Sequence, residues 1–132
     1  DTISYYQSKG NHGNQDAAYR QLLDSVGQAF RTDGHLQEML LGEAATESAR
    51  LNQEHLEKPN LDQFITFVKN RGALGVLVAH SGTVVGVLWG TDRMTREVED
   101  QTRAIAAKFD GSYRYMQIAR LISGGVICEI RP

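Results

Sequence analysis

Apolar positions along the chain follow two rhythms, and the change from one to the other divides it. From Asp16 to Phe30, the residues Tyr19, Leu22, Leu23, Val26, Ala29 and Phe30 recur at helical spacing and predict an amphipathic helix, weakened slightly by Gly27. The stretch before it, Asp1 to Asn14, is polar and punctuated by Gly10, Asn11, Gly13 and Asn14, which reads as an extended lead-in or loop. Asp33 is placed to cap a second helix running to about Gln53, with Leu36, Leu40, Ala44 and Leu51 on one stripe. Glu57, Lys58, Pro59 and Asn60 interrupt the pattern. Asn60 and Gln63 then have the spacing of a capping box for a third helix, whose apolar face is Leu61, Phe64, Ile65 and Val68 and whose C-terminal glycine is Gly72.

Beyond Gly72 the apolar residues come in short valine-rich runs. Leu74 to Ala79 and Thr83 to Trp89 are close enough to predict a β-hairpin. Asp92 is expected to start a fourth helix carrying Met94, Val98 and Ile105, with Lys108 in its last turn. Tyr113 to Leu121 and Val126 to Ile130 flank Ser123, Gly124 and Gly125 as a second hairpin. The order ααα–ββ–α–ββ predicts one α+β domain over residues 1–132, with helices on one face of an antiparallel sheet.

Composition narrows the function classes. A chain of 132 residues, 41% hydrophobic, can bury a core without a disulfide or structural metal. Lys plus Arg number 14 against 16 Asp plus Glu, so no basic footprint for nucleic acid or an anionic membrane is expected. No apolar run approaches the roughly 18 residues of a membrane span, and no secretory leader is recognisable. The single cysteine, Cys128, excludes a disulfide framework within the chain and a Cys-rich zinc site, and points to a reducing cytoplasmic setting.

Five of the 13 glycines fall between Gly72 and Gly90, at Gly72, Gly75, Gly82, Gly86 and Gly90. The tip of the predicted hairpin carries His80, Ser81, Gly82 and Thr83. Backbone N–H groups in such a turn can form a nest for phosphate, and the two hydroxyls add donors and acceptors. A tight turn needing Gly82 for a positive φ accounts for the same residues. Gly75 and Gly86 tilt the reading towards a ligand, since glycine within a strand marks close approach by another backbone or by a bound group.

The run Ala79-His80-Ser81-Gly82-Thr83 resembles the glycine-rich third motif of the GHMP small-molecule kinases. Its AHSGT form is similar to that of their L-threonine kinase branch, which serves cobalamin biosynthesis. The segment Gly42 to Asp62, GEAATESARLNQEHLEKPNLD, resembles the helix and loop preceding that motif in the same branch. The resemblance implies a ferredoxin-like α+β sandwich, phosphorylation of a substrate hydroxyl, and ATP with Mg2+ as cofactors. The family's N-terminal PxxxGLGSS loop has no counterpart here, nor has a GxxxxGK(S/T) loop. The chain therefore looks like the C-terminal half of such an enzyme, inactive alone and expected to pair with an N-terminal nucleotide-binding half. That it opens at Asp1 rather than methionine agrees with this.

On that resemblance His80, Ser81, Gly82 and Thr83 border the phosphoryl-transfer site, positioning substrate and countering developing charge. His80 is either a proton acceptor or a residue that fixes the turn. Asn52, Gln53 and Lys58 form a second candidate group, able to read an amino-acid carboxylate or amine, or a phosphate. The alternative is that Asn52 and Gln53 simply end a helix while Lys58 is solvated. Glu43 and Glu47, at i and i+4, could hold a metal, but they and Asp62 read as solvated helix surface, and no metal site is expected. Arg114 and Arg120 share a strand parity and read as the wet face of a sheet. His12 beside Asn11 and Asn14 is weak evidence for a metal, and Cys128 reads as a small core residue. The contrasting reading is a stand-alone ferredoxin-like module that senses a small ligand or self-associates; a homodimer is left open in either case.

Overall fold

The computed structural model describes residues 12–53, 58–79, 84–112 and 116–120, with side chains from residue 16 onward. Its elements are α1 (His12–Phe30), α2 (Gly34–Asn52), α3 (Leu61–Asn70), β1 (Gly75–Val78), β2 (Val85–Leu88) and α4 (Thr95–Lys108). The architecture is α+β, with four helices and a two-stranded antiparallel sheet among the described residues. The chain divides into two compact units, one ending at Met94 and the other beginning at Thr95. No described helix is long and apolar enough to cross a membrane.

In the first unit α1 starts at His12, four residues before the predicted Asp16. Once a helix is nucleated, a further turn adds hydrogen bonds at little cost, so weak formers at its start are carried along. The buried side of α1 is narrower than the predicted stripe. Ala29 is fully buried and Tyr19, Leu22 and Val26 are half-buried, whereas Leu23 and Phe30 lie exposed on its shoulder. At the corner into α2 the Ala29 carbonyl accepts hydrogen bonds from the Thr32 hydroxyl (2.8 Å) and the Gln37 amide (3.2 Å).

Helix α2 begins after Asp33, as predicted, but with Asp33 extended and making no side-chain capping bond. Its buried residues are Gly42, Ala44, Thr46, Ala49 and Asn52; of the predicted stripe only Ala44 is buried, while Leu40 and Leu51 are half-buried and Leu36 is exposed. The reason is steric. β1 crosses α2 at backbone contact distance, so the inner face is selected for small volume rather than hydrophobicity. A Cβ on Gly42 would stand 2.6 Å from the Leu74 carbonyl carbon, and one on Gly75 would stand 2.6 Å from the Gly42 carbonyl carbon.

The apolar face of α3 matches the prediction: Leu61, Phe64, Ile65 and Val68 are all buried, each contributing about 1.5–3 kcal/mol of transfer free energy. The predicted capping box does not form. Asn60 is left-handed (φ 63°, ψ 20°), outside the extended region in which an N-cap side chain reaches its own helix. A turn across Pro59 and Asn60, closed by Leu61 N–H to the Lys58 carbonyl (3.3 Å), starts the helix instead. Its C-terminus is a complete Schellman motif. Gly72 has φ +94°, its N–H donates to the Lys69 carbonyl, and the Ala73 N–H donates to the Val68 carbonyl (both 3.0 Å).

The hairpin forms as predicted, pairing Gly75 with Leu88, Val76 with Val87, Leu77 with Gly86 and Val78 with Val85. Leu74 N–H to Leu88 carbonyl (2.8 Å) and Ala79 N–H to Val84 carbonyl (3.0 Å) extend the pairing beyond both ends. The core of this unit joins Ala29, Ala44, Ala49, Leu61, Phe64, Ile65, Val68, Ala73 and Val76.

In the second unit α4 starts at Thr95 rather than Asp92, carries Lys108 in its last turn as expected, and buries Ile105. The predicted strand over Tyr113 to Leu121 is not borne out where it is described. Residues 116–120 are exposed and carry no strand. Alternation yields a strand only where a ladder partner completes its backbone hydrogen bonds, and the described sheet has two strands. The predicted strand Val126 to Ile130 lies outside the described residues.

Candidate functional site

Two strand glycines pointed to a ligand beside the hairpin, and both have an internal explanation. Gly75 admits the backbone of α2, with the Thr46 hydroxyl 2.7 Å from the place of a Cβ. Gly86 lies under its cross-strand partner, where a Cβ would stand 2.8 Å from Leu77 Cδ1. Thr46, fully buried, donates to the Gly42 carbonyl (2.8 Å) and accepts the Val76 N–H (3.0 Å). The helix thus satisfies a backbone donor of β1 where a third strand would otherwise do so.

His80, Ser81, Gly82 and Thr83 lie outside the described residues, as do Arg114 and Cys128. In sequence the four join Ala79 to Val84, whose backbones are hydrogen-bonded across the hairpin. Of the second predicted group, the structure brings Gln53 and Lys58 together: Gln53 Oε1 accepts the Lys58 backbone N–H at 2.7 Å. Gln53 is the C-cap of α2, and its amide nitrogen is buried with no hydrogen-bond partner among the described residues. Asn52, the last residue of α2, is buried. These residues shape the exit from α2, and Gln53 closes the chain back onto it.

The carboxylates read as helix surface behave so. Glu43 on α2 pairs with Lys69 on α3, and Glu47 lies 4.0 Å from Arg50. Asp62 is exposed in the first turn of α3, where a negative charge suits the helix dipole. Arg120 is exposed outside any strand.

A second constellation was not anticipated. Gly34, His35, Gln37 and Glu38 at the start of α2, with Thr91 and Asp92 after β2, line an open cavity of about 360 Å³. Glu38 Oε1 accepts both the Thr91 hydroxyl (2.5 Å) and the Thr91 N–H (3.2 Å). Its other oxygen, Oε2, stands 3.6 Å from His35 Nδ1. The Thr91 hydroxyl bond, opposed by slight burial and reinforced by the Thr91 N–H and by His35, holds the Glu38 carboxyl below the ordinary glutamate range. His35 and Glu38 share an i, i+3 spacing that sequence reasoning could have noted. Thr91 and Asp92 are more than fifty residues further along, and no local pattern links them to α2.

No family model matches the chain. No solved structure matches it either. Among curated proteins, 87 residues, 65% of the chain, align at 37% identity with an L-threonine kinase of Citrobacter freundii, covering 30% of that relative. An alignment of the same length to an L-threonine kinase of Salmonella typhimurium strain LT2 has 33% identity and covers 28% of it. The chain spans under a third of the length of these relatives, and over most of its own length it is similar to L-threonine kinases, as the AHSGT run and the segment before it led us to expect.

Proposed function

We propose that the chain is the C-terminal part of an ATP-dependent kinase of the GHMP type that phosphorylates a small-molecule hydroxyl, L-threonine, to O-phospho-L-threonine for cobalamin biosynthesis in the cytoplasm. The observation that carries this is the 87-residue similarity to two proteins named L-threonine kinase. The α+β order of helices and hairpin is compatible with the ferredoxin-like half of such an enzyme.

Among the described residues no glycine-rich loop stands at a helix N-terminus to cradle a triphosphate, so we assign ATP and Mg2+ chiefly to an N-terminal half of the same kinase. The role left to this chain is on the substrate side. The His80–Thr83 stretch, with two hydroxyls and an imidazole, supplies groups that orient an amino-acid hydroxyl and counter charge on the moving phosphoryl group. Gln53 and Lys58 support this by fixing the chain after α2.

The test is ADP release and threonine phosphorylation by the chain alone and by the chain joined to a nucleotide-binding half. Activity only in the joined protein, reduced at least tenfold by Ser81→Ala with Thr83→Ala, is the expected result. Normal turnover by the isolated chain would overturn the two-half reading. A joined, folded protein that leaves threonine unphosphorylated would overturn the kinase reading.

A further inference from the structure

We propose that His35, Glu38 and Asp92 form a site for a divalent first-row transition ion, zinc foremost, that ties the start of α2 to the turn after β2. One ligand atom from each lies within 4.8 Å of the other two, and the three line one open cavity. A tetrahedral zinc site with bonds of about 2.0–2.2 Å sets its ligands about 3.4 Å apart. The remaining contraction falls on side chains free to turn, since His35 and Asp92 are both exposed.

Three features separate this set from a chance meeting of surface charges. First, Glu38 is already oriented: Thr91 occupies Oε1 through two hydrogen bonds, which leaves Oε2 directed at His35. A ligating carboxylate held this way by an outer partner is a recurrent feature of metal sites. Second, Gly90 makes room for the convergence. A Cβ there would stand 2.5 Å from Asp92 Oδ1 and 3.3 Å from Glu38 Oε2, so both carboxylates reach into the space that any other residue would fill. Third, the three ligands come from two separate stretches of chain, the start of α2 and the turn after β2, that meet only in the fold.

The donor set selects the ion. One imidazole nitrogen with two carboxylate oxygens suits zinc, cobalt, nickel or manganese. Magnesium and calcium favour oxygen-only shells and do not use imidazole well. Three protein ligands leave at least one coordination position to solvent in the cavity.

The experiment is titration of the 132-residue chain with Zn2+ and, separately, Mg2+ by calorimetry, with Co2+ absorption as a geometric readout. The expected result is one saturable Zn2+ site at least a hundredfold tighter than Mg2+, a rise in melting temperature on loading, and cobalt bands of a low-coordinate N/O site. His35→Ala and Asp92→Asn, both exposed positions whose metal-free fold is checked by circular dichroism, should each weaken binding tenfold or more. Unchanged binding in both variants would assign the metal to His12, His55, His80 or Cys128 and overturn the proposal. So would absence of saturable binding, or equal affinity for Mg2+. None of these readouts depends on the kinase reading.

Discussion

Gly42 of α2 and Gly75 of β1 face each other across the helix–strand crossing with no side chain between them. A Cβ at Gly75 would stand 2.6 Å from the Gly42 carbonyl carbon and 2.7 Å from the Thr46 hydroxyl. Backbone cannot yield as a flexible side-chain end does, so Gly42→Ala and Gly75→Ala must push β1 off the helix. Each should destabilise the chain by about 3 kcal/mol, read as a lowered urea midpoint. A change below about 0.5 kcal/mol at both positions would mean that the crossing is not this close.

Thr46 completes that crossing chemically. Its hydroxyl accepts a hydrogen bond from the Val76 N–H and donates one to the Gly42 carbonyl, all in a fully buried position. Thr46→Val keeps the shape and strands a backbone donor, at a cost of about 1–3 kcal/mol, whereas Thr46→Ser should retain most of the stability. Amide exchange distinguishes the mechanism: Val76 N–H protection should fall in the valine variant and persist in the serine variant. Equal loss of stability in both would point to packing alone.

This crossing also marks where the sequence ceased to be legible. Helix α3 announced itself, because Leu61, Phe64, Ile65 and Val68 are large, apolar and buried on one side. The hairpin did too, through its valines and its separation by a short polar stretch. The inner face of α2 did not. Ala44 lay on the predicted stripe, but Gly42, Thr46 and Ala49, which score poorly as a hydrophobic stripe, complete the small face that lets β1 approach. Gly75 was read correctly as close approach by a backbone, whereas Gly86 meets only the Leu77 side chain; whether the approaching group is a ligand or the chain itself is a long-range fact. The cluster of His35, Glu38 and Asp92 was invisible for the same reason, since one of its members joins from beyond the hairpin.

Gly72 links the end of α3 to the only tryptophan of the chain. Its φ of +94° is a glycine conformation, and its carbonyl accepts Arg93 Nη2 at 3.3 Å. The same guanidinium lies 5.8 Å from the centre of the Trp89 ring. Gly72→Ala incurs about 1–2 kcal/mol of left-handed strain and also drives its new methyl into the Arg93 side chain. It should lower stability and shift Trp89 emission together. Arg93→Ala should shift the emission while changing stability by no more than about 1 kcal/mol. An unchanged spectrum in both variants would place the guanidinium away from the ring.

Glu38 gives the chain an acid-sensitive contact between α2 and the turn after β2. Its carboxyl is held below the ordinary glutamate range chiefly by the Thr91 hydroxyl bond, so the ionised form is favoured in the fold over the unfolded chain. The unfolded state therefore binds the proton more readily, and stability from this contact is present at neutral pH and lost as pH falls through the folded value. In metal-free buffer with a chelator, denaturation midpoints should decline between about pH 5 and 3, the window around and below an unperturbed glutamate. Thr91→Val removes the main cause of the shift and Glu38→Gln removes the titrating group, so both should flatten that decline while lowering stability at pH 7. If either variant loses stability on acidification as steeply as the parent, another carboxylate governs the acid limb. Rescue by Thr91→Ser, which restores the hydroxyl without the methyl, would locate the effect in the hydrogen bond.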